Sequence, residues 1–366
     1  MFLPLASLTV FLAYLGAGYG LQHSDIPQDA PLSSLLSSAK THLANGSPRD
    51  ALMFFDVAIA KDPTSFVTIF QRGAAYLSLG KSVQASEDFD RVLKLKPDFE
   101  GALLQRSRLR TKSADWSGAL SDLEKAGRKK STQYQEIVDA RSAAQKAQDA
   151  EKKGSWEACV KNSDIAIAQA TMSPSLRQVR SHCHFERGEV EEGVGDLGHI
   201  LHISPGLSEQ HLRLSTILFY TLGDVDRGLT QIRKCIHSDP ESKACNGLFR
   251  KEKRVIKQLN SMRDFMTKRK FLNAANLLVG TGKQGCLIDD VKEDIQHAKE
   301  SGYILPSMTS ELYTSLIENA CDSHRQVCIS CISIWHCLFR LANLFHLLIE
   351  SYDQKSATVL LRGTCA

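Results

Sequence analysis

The sequence predicts an all-α solenoid, a stack of helix–turn–helix pairs, and three observations support this prediction. The first is a pattern of small, aromatic and proline residues with a period of about 34 residues, seen as Ala51, Phe55 and Pro63 and then as Ala85, Phe89 and Pro97. The second is a third copy, with Ala119 and Leu123, one further period along the chain. The third is a glycine midway through each of the first two copies, Gly46 and Gly80, where the chain must turn between helices.

Each residue type in the pattern has a physical role in a helix pair. Ala51 is small enough for two helices to approach closely, and Phe55 fills the space between them. Pro63 ends the second helix, because proline has no amide hydrogen and its ring clashes with the preceding turn. The second copy also contains Gly73-x-x-Tyr76. A period of about 34 residues with this composition is typical of tetratricopeptide repeats (TPRs), each a helix–turn–helix.

The repeats and their flanks divide the chain into six predicted segments. A polar helical stretch follows the third copy, where Ser131 replaces the expected proline, so we expect about seven repeats in sub-arrays joined by a long helix. Pro205 and Pro240 are separated by one residue more than the period, which requires a one-residue insertion. The segments are a signal peptide at 1–20, a linker at 21–31, a first TPR sub-array at 32–133, a connecting helix and second sub-array at 134–242, divergent repeats at 243–326 and an atypical Cys-rich tail at 327–366.

The N-terminus predicts entry into the secretory pathway. An uncharged apolar run from Phe2 to Leu15 precedes small residues, as in a cleaved signal peptide. The run is short for a membrane span, so an uncleaved anchor is the less favoured alternative. Asn45-Gly46-Ser47 is a candidate N-glycosylation site in the turn of the first repeat. We therefore expect the lumen of the endoplasmic reticulum, with secretion as the alternative.

The composition argues against nucleic-acid binding and catalysis. The net charge is +4, from 45 Lys+Arg and 41 Asp+Glu, which lacks the basic excess of a nucleic-acid-binding protein. The sequence has no Gly-rich phosphate loop, nucleophile elbow or zinc-ligand spacing. His182-Cys183-His184 cannot converge on one ion, since adjacent helical residues point about 100° apart. We predict no enzyme activity, no cofactor and no metal site.

The ten cysteines are compatible with an oxidising compartment. Cys235 and Cys245 flank Pro240 and form a candidate disulfide between consecutive helices, which would stabilise the fold by about 2–3 kcal/mol. Cys159, Cys183 and Cys286 are interpreted as small buried apolar residues.

The candidate binding surface is the groove formed by the first helix of each repeat. Mostly apolar side chains occupy its positions in the first three repeats, and ordinary packing between helices is the alternative explanation. A contiguous exposed apolar patch would bind hydrophobic segments. A Lys/Asn/Arg clamp for C-terminal carboxylates is disfavoured, because only Lys40 is compatible with it. The candidate residues are Leu36, Leu43, Val67, Phe70, Leu77 and Leu104.

The tail after Gln326 has no repeat pattern and is dense in cysteine and isoleucine. A translated intron or frameshift is the favoured interpretation, because a repeat breaks off in mid-helix. A membrane segment is an alternative, although Arg340 would be costly in lipid. A redox or metal site at Cys328 and Cys331 is another, and it underlies a third functional hypothesis, a thiol oxidoreductase.

The order of these features resembles the endoplasmic-reticulum TPR/J-domain co-chaperones, the family of the inhibitor of the interferon-induced protein kinase. The resemblance covers residues 30–325 and includes the Cys235–Pro240–Cys245 junction and the Lys251-Glu-Lys-Arg254 run. It implies that the first sub-array binds unfolded clients and that a J domain passes them to the lumenal Hsp70 (BiP). A J domain needs a His-Pro-Asp triplet, and this chain has none; the nearest triplet is Lys96-Pro97-Asp98.

The sequence therefore predicts a TPR co-chaperone that binds unfolded or misfolded proteins in the endoplasmic reticulum for the lumenal Hsp70. Its expected partners are unfolded client proteins, and BiP is expected from the resemblance although the J domain is absent. Nucleic acid and membrane are not expected partners. The alternative is a TPR scaffold for one folded partner, associated with a membrane through the tail.

Overall fold

The computed structural model describes residues 26–27, 29–280 and 286–327. All regular structure in these ranges is helical, which confirms the predicted all-α class. The chain divides into two compact units, unit 1 at Met1–Val138 and unit 2 at Asp139–Ala366. The predicted signal peptide, and the predicted tail beyond Val327, lie outside the described residues, and the predicted segment boundaries stay predictions.

Unit 1 is a series of helix pairs. Gly46 and Gly80 form the first two turns with φ of 73° and 71°, in the left-handed region that glycine adopts without steric cost. In the third turn Ala114 adopts φ 66°, although it has a side chain. The helices are α1 (Leu32–Ala44), α2 (Pro48–Lys61), α3 (Phe66–Ser78), α4 (Ser82–Leu95), α5 (Glu100–Lys112), α6 (Trp116–Lys125) and the start of α7 (Thr132–Lys152).

The residues of the recurring pattern form the core of unit 1. A Cβ at Gly73 would lie 2.8 Å from Cε1 of Phe89, so α3 and α4 approach too closely at this point for a side chain. This packing explains why the period of the sequence sets the period of the fold. No surface is exposed at the pattern residues Ala51, Phe55, Ala85, Phe89, Ala119 and Leu123, nor at Ala58 and Val92, which occupy equivalent positions in α2 and α4.

Unit 2 continues with further helices after the end of α7. Gly188 and Gly223 turn between helices with φ of 78° and 66°. No described helix combines the length and apolar character that a membrane span requires. The helices are α8 (Trp156–Gln169), α9 (Pro174–Glu186), α10 (Val190–Ile203), α11 (Ser208–Thr216), α12 (Val225–Ser238), α13 (Lys243–Thr267), α14 (Phe271–Val279), α15 (Leu287–Glu300) and α16 (Glu311–Val327).

The insertion required between Pro205 and Pro240 coincides with a π-helical turn, Ile217–Thr221, which extends α11. A π-helical turn takes one more residue than an α-helical turn. Ser215 Oγ donates to the carbonyl of Gly228, 13 residues on, whereas the equivalent bond from Ser181 to Gly193 spans 12. The extra residue thus lies inside the helix pair rather than in the loop between pairs.

The second half of unit 2 packs around α13, which is 25 residues long. Val255 and Leu259 of this helix join a large core with residues of α14, α15 and α16. Tyr220 is buried in the same core and its hydroxyl donates to Asp294, 3.1 Å away. Glu252 is also fully buried, an unusual position for a carboxyl group.

Candidate functional site

The six predicted groove residues lie on α1, α3 and α5, the first helices of the three pairs of unit 1. Only Val67 is well exposed, with 46% of its surface accessible. The other five are half-buried and pack against the cores between helices: Leu36 and Leu43 beside Phe55, Phe70 and Leu77 beside Phe89, and Leu104 beside Leu123. These five therefore contribute to packing as well as to the surface, and their role in binding stays a prediction.

Phe70 belongs to an aromatic cluster that was only partly predicted from the sequence. Its ring lies 5.1 Å from that of Phe99, edge to face, and 5.7 Å from that of Phe89. Phe66 contacts Phe99 in turn at 5.2 Å. Phe66 and Phe99 stand at the ends of repeats, and neither was among the six predicted groove residues. Phe66, Val67, Phe70 and Phe99 form one surface, here called the aromatic face.

The aromatic face has a cationic border. Lys96 Nζ lies 5.1 Å from the centre of the Phe66 ring, within cation–π distance. Phe66, Phe70 and Phe99 are half-buried, and Val67 is exposed beside them. A half-buried aromatic surface next to an exposed valine can contact an apolar segment without unfolding the repeat.

A ladder of arginine–aspartate bridges holds the helices behind this face in register. Arg72 of α3 donates from Nε and Nη2 to both oxygens of Asp88 of α4, at 2.9 and 2.6 Å. Its Nη1 donates to Asp56 of α2 at 2.9 Å. One guanidinium thus connects three helices from two repeats, with each aspartate 16 residues away in sequence.

The same bridge recurs with the repeat. Arg106 binds Asp122 with two bonds of 2.9 and 2.6 Å and Asp90 with one of 2.6 Å, each residue lying one period after its counterpart. In unit 2, Arg180 binds Asp196 and Asp164 in the same way. This ladder was not predicted. The sequence feature that indicates the ladder is an arginine with one aspartate 16 residues before it and another 16 residues after it, repeated in successive copies.

The bridges fix the charge state of the ladder. The carboxylates around Arg72 raise its pKa further above the usual range, with the hydrogen bonds to Asp88 as the main cause. The pKa of Arg180 is raised by Asp196 for the same reason. Desolvation acts in the opposite direction but is the smaller effect. The guanidinium groups of Arg72 and Arg180 therefore stay charged in the folded protein.

Within the described part of unit 2, two disulfides connect helices. Cys235 of α12 pairs with Cys245 of α13, the pairing suggested by the sequence. Cys159 of α8 pairs with Cys183 of α9, so the interpretation of these two as buried apolar thiols is wrong. Both are fully buried, as expected of apolar residues, but α8 and α9 bring their Cα atoms to 6.3 Å, within bonding range. Cys286 is a buried thiol, as interpreted.

The other residues singled out in the sequence have separate surroundings. His182 and His184 contact different carboxylates, Glu151 and Glu189, each at 2.7 Å. No group of three metal-ligating residues occurs within the described ranges. Asn45 is exposed at the end of α1, and its glycosylation stays a prediction.

No family model matches the chain. It is 42% identical over 328 residues to the tetratricopeptide repeat and J domain-containing co-chaperone DNJ1 of Fusarium oxysporum, covering 89% of this chain and 63% of that protein. The protein of the same name from Cryptococcus neoformans is 30% identical over 278 residues, covering 75% of this chain and 53% of that protein. DnaJ homolog subfamily C member 3 of Homo sapiens is 26% identical over 283 residues, covering 75% and 54%.

Among solved structures, the P58(IPK) TPR domain is similar, with a TM-score of 0.66 and 23% identity over 81% of this chain and 79% of that chain. This similarity confirms the TPR solenoid. The chain spans about half to two-thirds of the length of the curated relatives it matches. Those homologues are TPR and J-domain co-chaperones, a non-enzymatic family, which confirms both the predicted resemblance and the prediction that the chain is not an enzyme.

Proposed function

We propose, from its homology to the TPR and J-domain co-chaperones, that this protein is a co-chaperone module that binds unfolded or misfolded polypeptides in the endoplasmic reticulum for the lumenal Hsp70. The observation that best supports client binding is the aromatic face of unit 1. It offers the exposed Val67 beside three half-buried phenylalanine rings. Apolar segments are buried in folded proteins and exposed in unfolded ones, so such a face selects for the unfolded state.

The remaining predicted groove residues border this face in the proposal. Leu77 packs in the same core as Phe70, and Leu36, Leu43 and Leu104 lie half-buried on the neighbouring first helices. A client segment would contact their exposed edges while their buried sides hold the repeats together. This double role predicts that truncating any of them affects stability and binding together.

The proposed compartment is supported by two features. The N-terminal apolar run has the composition of a signal peptide. Two buried disulfides are typical of proteins that fold in an oxidising compartment. Translation of the full chain with microsomes should give a protease-protected product. A product that stays accessible to protease would contradict the compartment but leave client binding to be judged separately.

Delivery to the lumenal Hsp70 is the part of the proposal that depends on a J domain. The sequence contains no His-Pro-Asp triplet. We therefore expect this chain to bind clients without accelerating ATP hydrolysis by the lumenal Hsp70. Acceleration by the purified chain would show that it contacts the Hsp70 through another surface.

The sharpest test of client binding uses Val67→Asp with Val83→Asp as its matched control. Val67 lies on α3 in the aromatic face, and Val83 lies on α4 of the same repeat with 69% of its surface exposed. Val67→Asp should raise the concentration needed to suppress aggregation of a chemically denatured client by about 3- to 10-fold, from the loss of part of one apolar side-chain burial. Val83→Asp should leave it unchanged.

Circular dichroism of both variants checks that each remains folded. Phe70 and Leu77 are less suitable positions for aspartate, because their packing against Phe89 would make the change a test of folding. Equal suppression by the two valine variants would refute the aromatic face as the client site. Suppression limited to one client, with a fixed stoichiometry, would favour the alternative of a scaffold for a single folded partner.

A further inference from the structure

The arginine–aspartate ladder is interrupted at one junction of unit 2, between α10, α11 and α12. Leu214 stands one repeat period after Arg180, and Gly198 stands one period after Asp164. The other aspartate that Arg180 binds is Asp196, and its counterpart is Gln231. Gln231 stands one residue further along than the repeat period predicts, because the π-helical turn adds a residue before it. All three charged groups of the bridge are thus replaced at once.

The interruption leaves an open groove of about 510 Å³ between α10 and α12. Val194, Leu214 and Leu218 form its floor and are nearly fully buried. Gly195 and Gly198 form part of one wall, and a Cβ at either position would meet no atom within 4 Å. At the equivalent junction Arg180 bridges the aspartates of the two second helices, Asp164 and Asp196.

Gln231 does not take the place of the missing aspartate. Its Nε2 lies 2.6 Å from Nδ1 of His211, and His211 Nε2 lies 2.9 Å from the carbonyl of Pro205. Since the glutamine amide nitrogen can only donate, Nδ1 accepts and Nε2 donates to the carbonyl. The amide of Gln231 is therefore committed to His211, and the groove keeps its apolar floor.

The two ends of the groove differ in charge. Glu191 and Arg227 lie 3.9 Å apart, which places the first turns of α10 and α12 at the same end. Asp226 is at that end and Lys234 is at the other, both exposed, both lining the groove, and neither in an ion pair with another described residue. Arg227 is balanced by Asp224 and Glu191. Eight residues of helix separate Asp226 from Lys234, a distance of about 12 Å.

We propose that this groove, here called the α10–α12 groove, binds an extended segment of a partner polypeptide with one bulky apolar residue between a basic and an acidic residue. Residues i, i+2 and i+4 of an extended chain share one face and span about 13 Å, which matches the separation of Asp226 and Lys234. The basic side chain faces Asp226, the apolar one rests on Leu214 and Leu218, and the acidic one faces Lys234. This surface is separate from the aromatic face and does not depend on it.

The probe is a fluorescein-labelled nonapeptide of glycine and serine with lysine, phenylalanine and glutamate at its third, fifth and seventh positions. Fluorescence anisotropy with the full chain measures its binding. Replacing phenylalanine by serine should weaken binding by about tenfold or more, on the order of one buried aromatic side chain. Replacing the lysine by glutamate should weaken it about 1.4- to 5-fold, as for one exposed ion pair.

Two variants of the protein decide whether the α10–α12 groove is the site. The double substitution Gly198→Asp with Leu214→Arg restores one bridge of the ladder and should close the groove, so binding should fall by about tenfold or more. Asp226→Lys leaves the groove open but reverses the charge at one end. It should bind the peptide with two glutamates better than the peptide with lysine and glutamate, by about two- to tenfold.

Val83→Asp, an exposed change on α4 outside both proposed surfaces, serves as a control and should bind the probe as the unaltered protein does. Asp226→Lys is an exposed change, so its charge preference can be read even if the double variant does not fold. Unchanged binding by a folded double variant would overturn the proposal. So would an Asp226→Lys protein that keeps the peptide preference of the unaltered chain.

Discussion

Replacing Arg72 with methionine should destabilise unit 1 much more than the same change at Arg106. Among the described residues, Arg72 is the only ion-pair partner of Asp88, whose side chain is 5% exposed, and Arg72 itself is 19% exposed. Methionine keeps the apolar length of the side chain but removes the guanidinium. Asp88 is then left as a buried carboxylate without a cation.

The magnitude follows from what each aspartate loses. Removing one partner of a buried ion pair costs about 3–5 kcal/mol, because the other charge stays desolvated. The bond to Asp56 adds little, since that side chain is 42% exposed and such pairs are worth about 0–1 kcal/mol. The expected loss for Arg72→Met is therefore about 3–5 kcal/mol.

Arg106→Met provides the internal comparison. Asp122 is even more buried, at 1% exposed, but Arg110 Nη1 also bonds it at 2.9 Å. The carboxylate therefore keeps a cation after the change, and the loss should be about 1.5–3 kcal/mol, near that of one hydrogen bond to a charged group. The two arginines occupy the same position of successive repeats, so the difference isolates the second cation.

Hydrogen–deuterium exchange of the full chain, followed by mass spectrometry, measures the local free energy of opening in α3 to α6. A second variant, Arg72→Met with Asp88→Leu, should recover most of the loss, because a buried pair replaced by apolar groups is close to neutral. The reasoning fails if Arg72→Met is as mild as Arg106→Met. It also fails if the double variant is no more stable than the single one.

Three further changes test other parts of the structure. Burial raises the pKa of Glu252 from 4.5 to about 8, so the folded state holds a proton that the unfolded state has lost. The free energy of unfolding should therefore fall by about 1.4 kcal/mol for each unit that the pH rises between these two values. Glu252→Gln should flatten this pH dependence in urea titrations at pH 5 and pH 8. An unchanged pH dependence would contradict the assignment of the raised pKa to Glu252. Ala114→Gly should stabilise the third turn by about 0.5–1 kcal/mol, because the strain of alanine at φ 66°, about 1–2 kcal/mol, exceeds the entropy cost of glycine, about 0.5–1 kcal/mol. A lower thermal midpoint would count against this strain. Cys159→Ala with Cys183→Ala should cost about 3.5 kcal/mol from loop entropy across a separation of 24 residues. The difference should disappear in the same urea titration when the variant and the unaltered protein are both fully reduced, and a difference that persists would contradict the assignment.

The binding surfaces could be predicted only in part. Val67 is exposed as expected, but the packing of Phe70 and Leu77 depends on how closely α3, α4 and α5 approach. Phe66 and Phe99 were missed, because their contact joins the first residue of α3 to the residue just before α5 and forms only when the helix pairs stack. The pairing of Cys159 with Cys183 was also missed, because composition does not distinguish two buried thiols from a disulfide bond.

The sequence by itself determined the repeat, its helices and its core, because small residues, aromatic residues and glycines act within one helix pair and recur once in each repeat. It even required the extra residue before Pro240, although only the structure located it in a π-helical turn. The tertiary structure alone decided what happens between repeats. A guanidinium such as Arg72 meets aspartates 16 residues away on either side only when three helices are stacked. The groove over Leu214 likewise exists only because that stacking continues where the bridge does not.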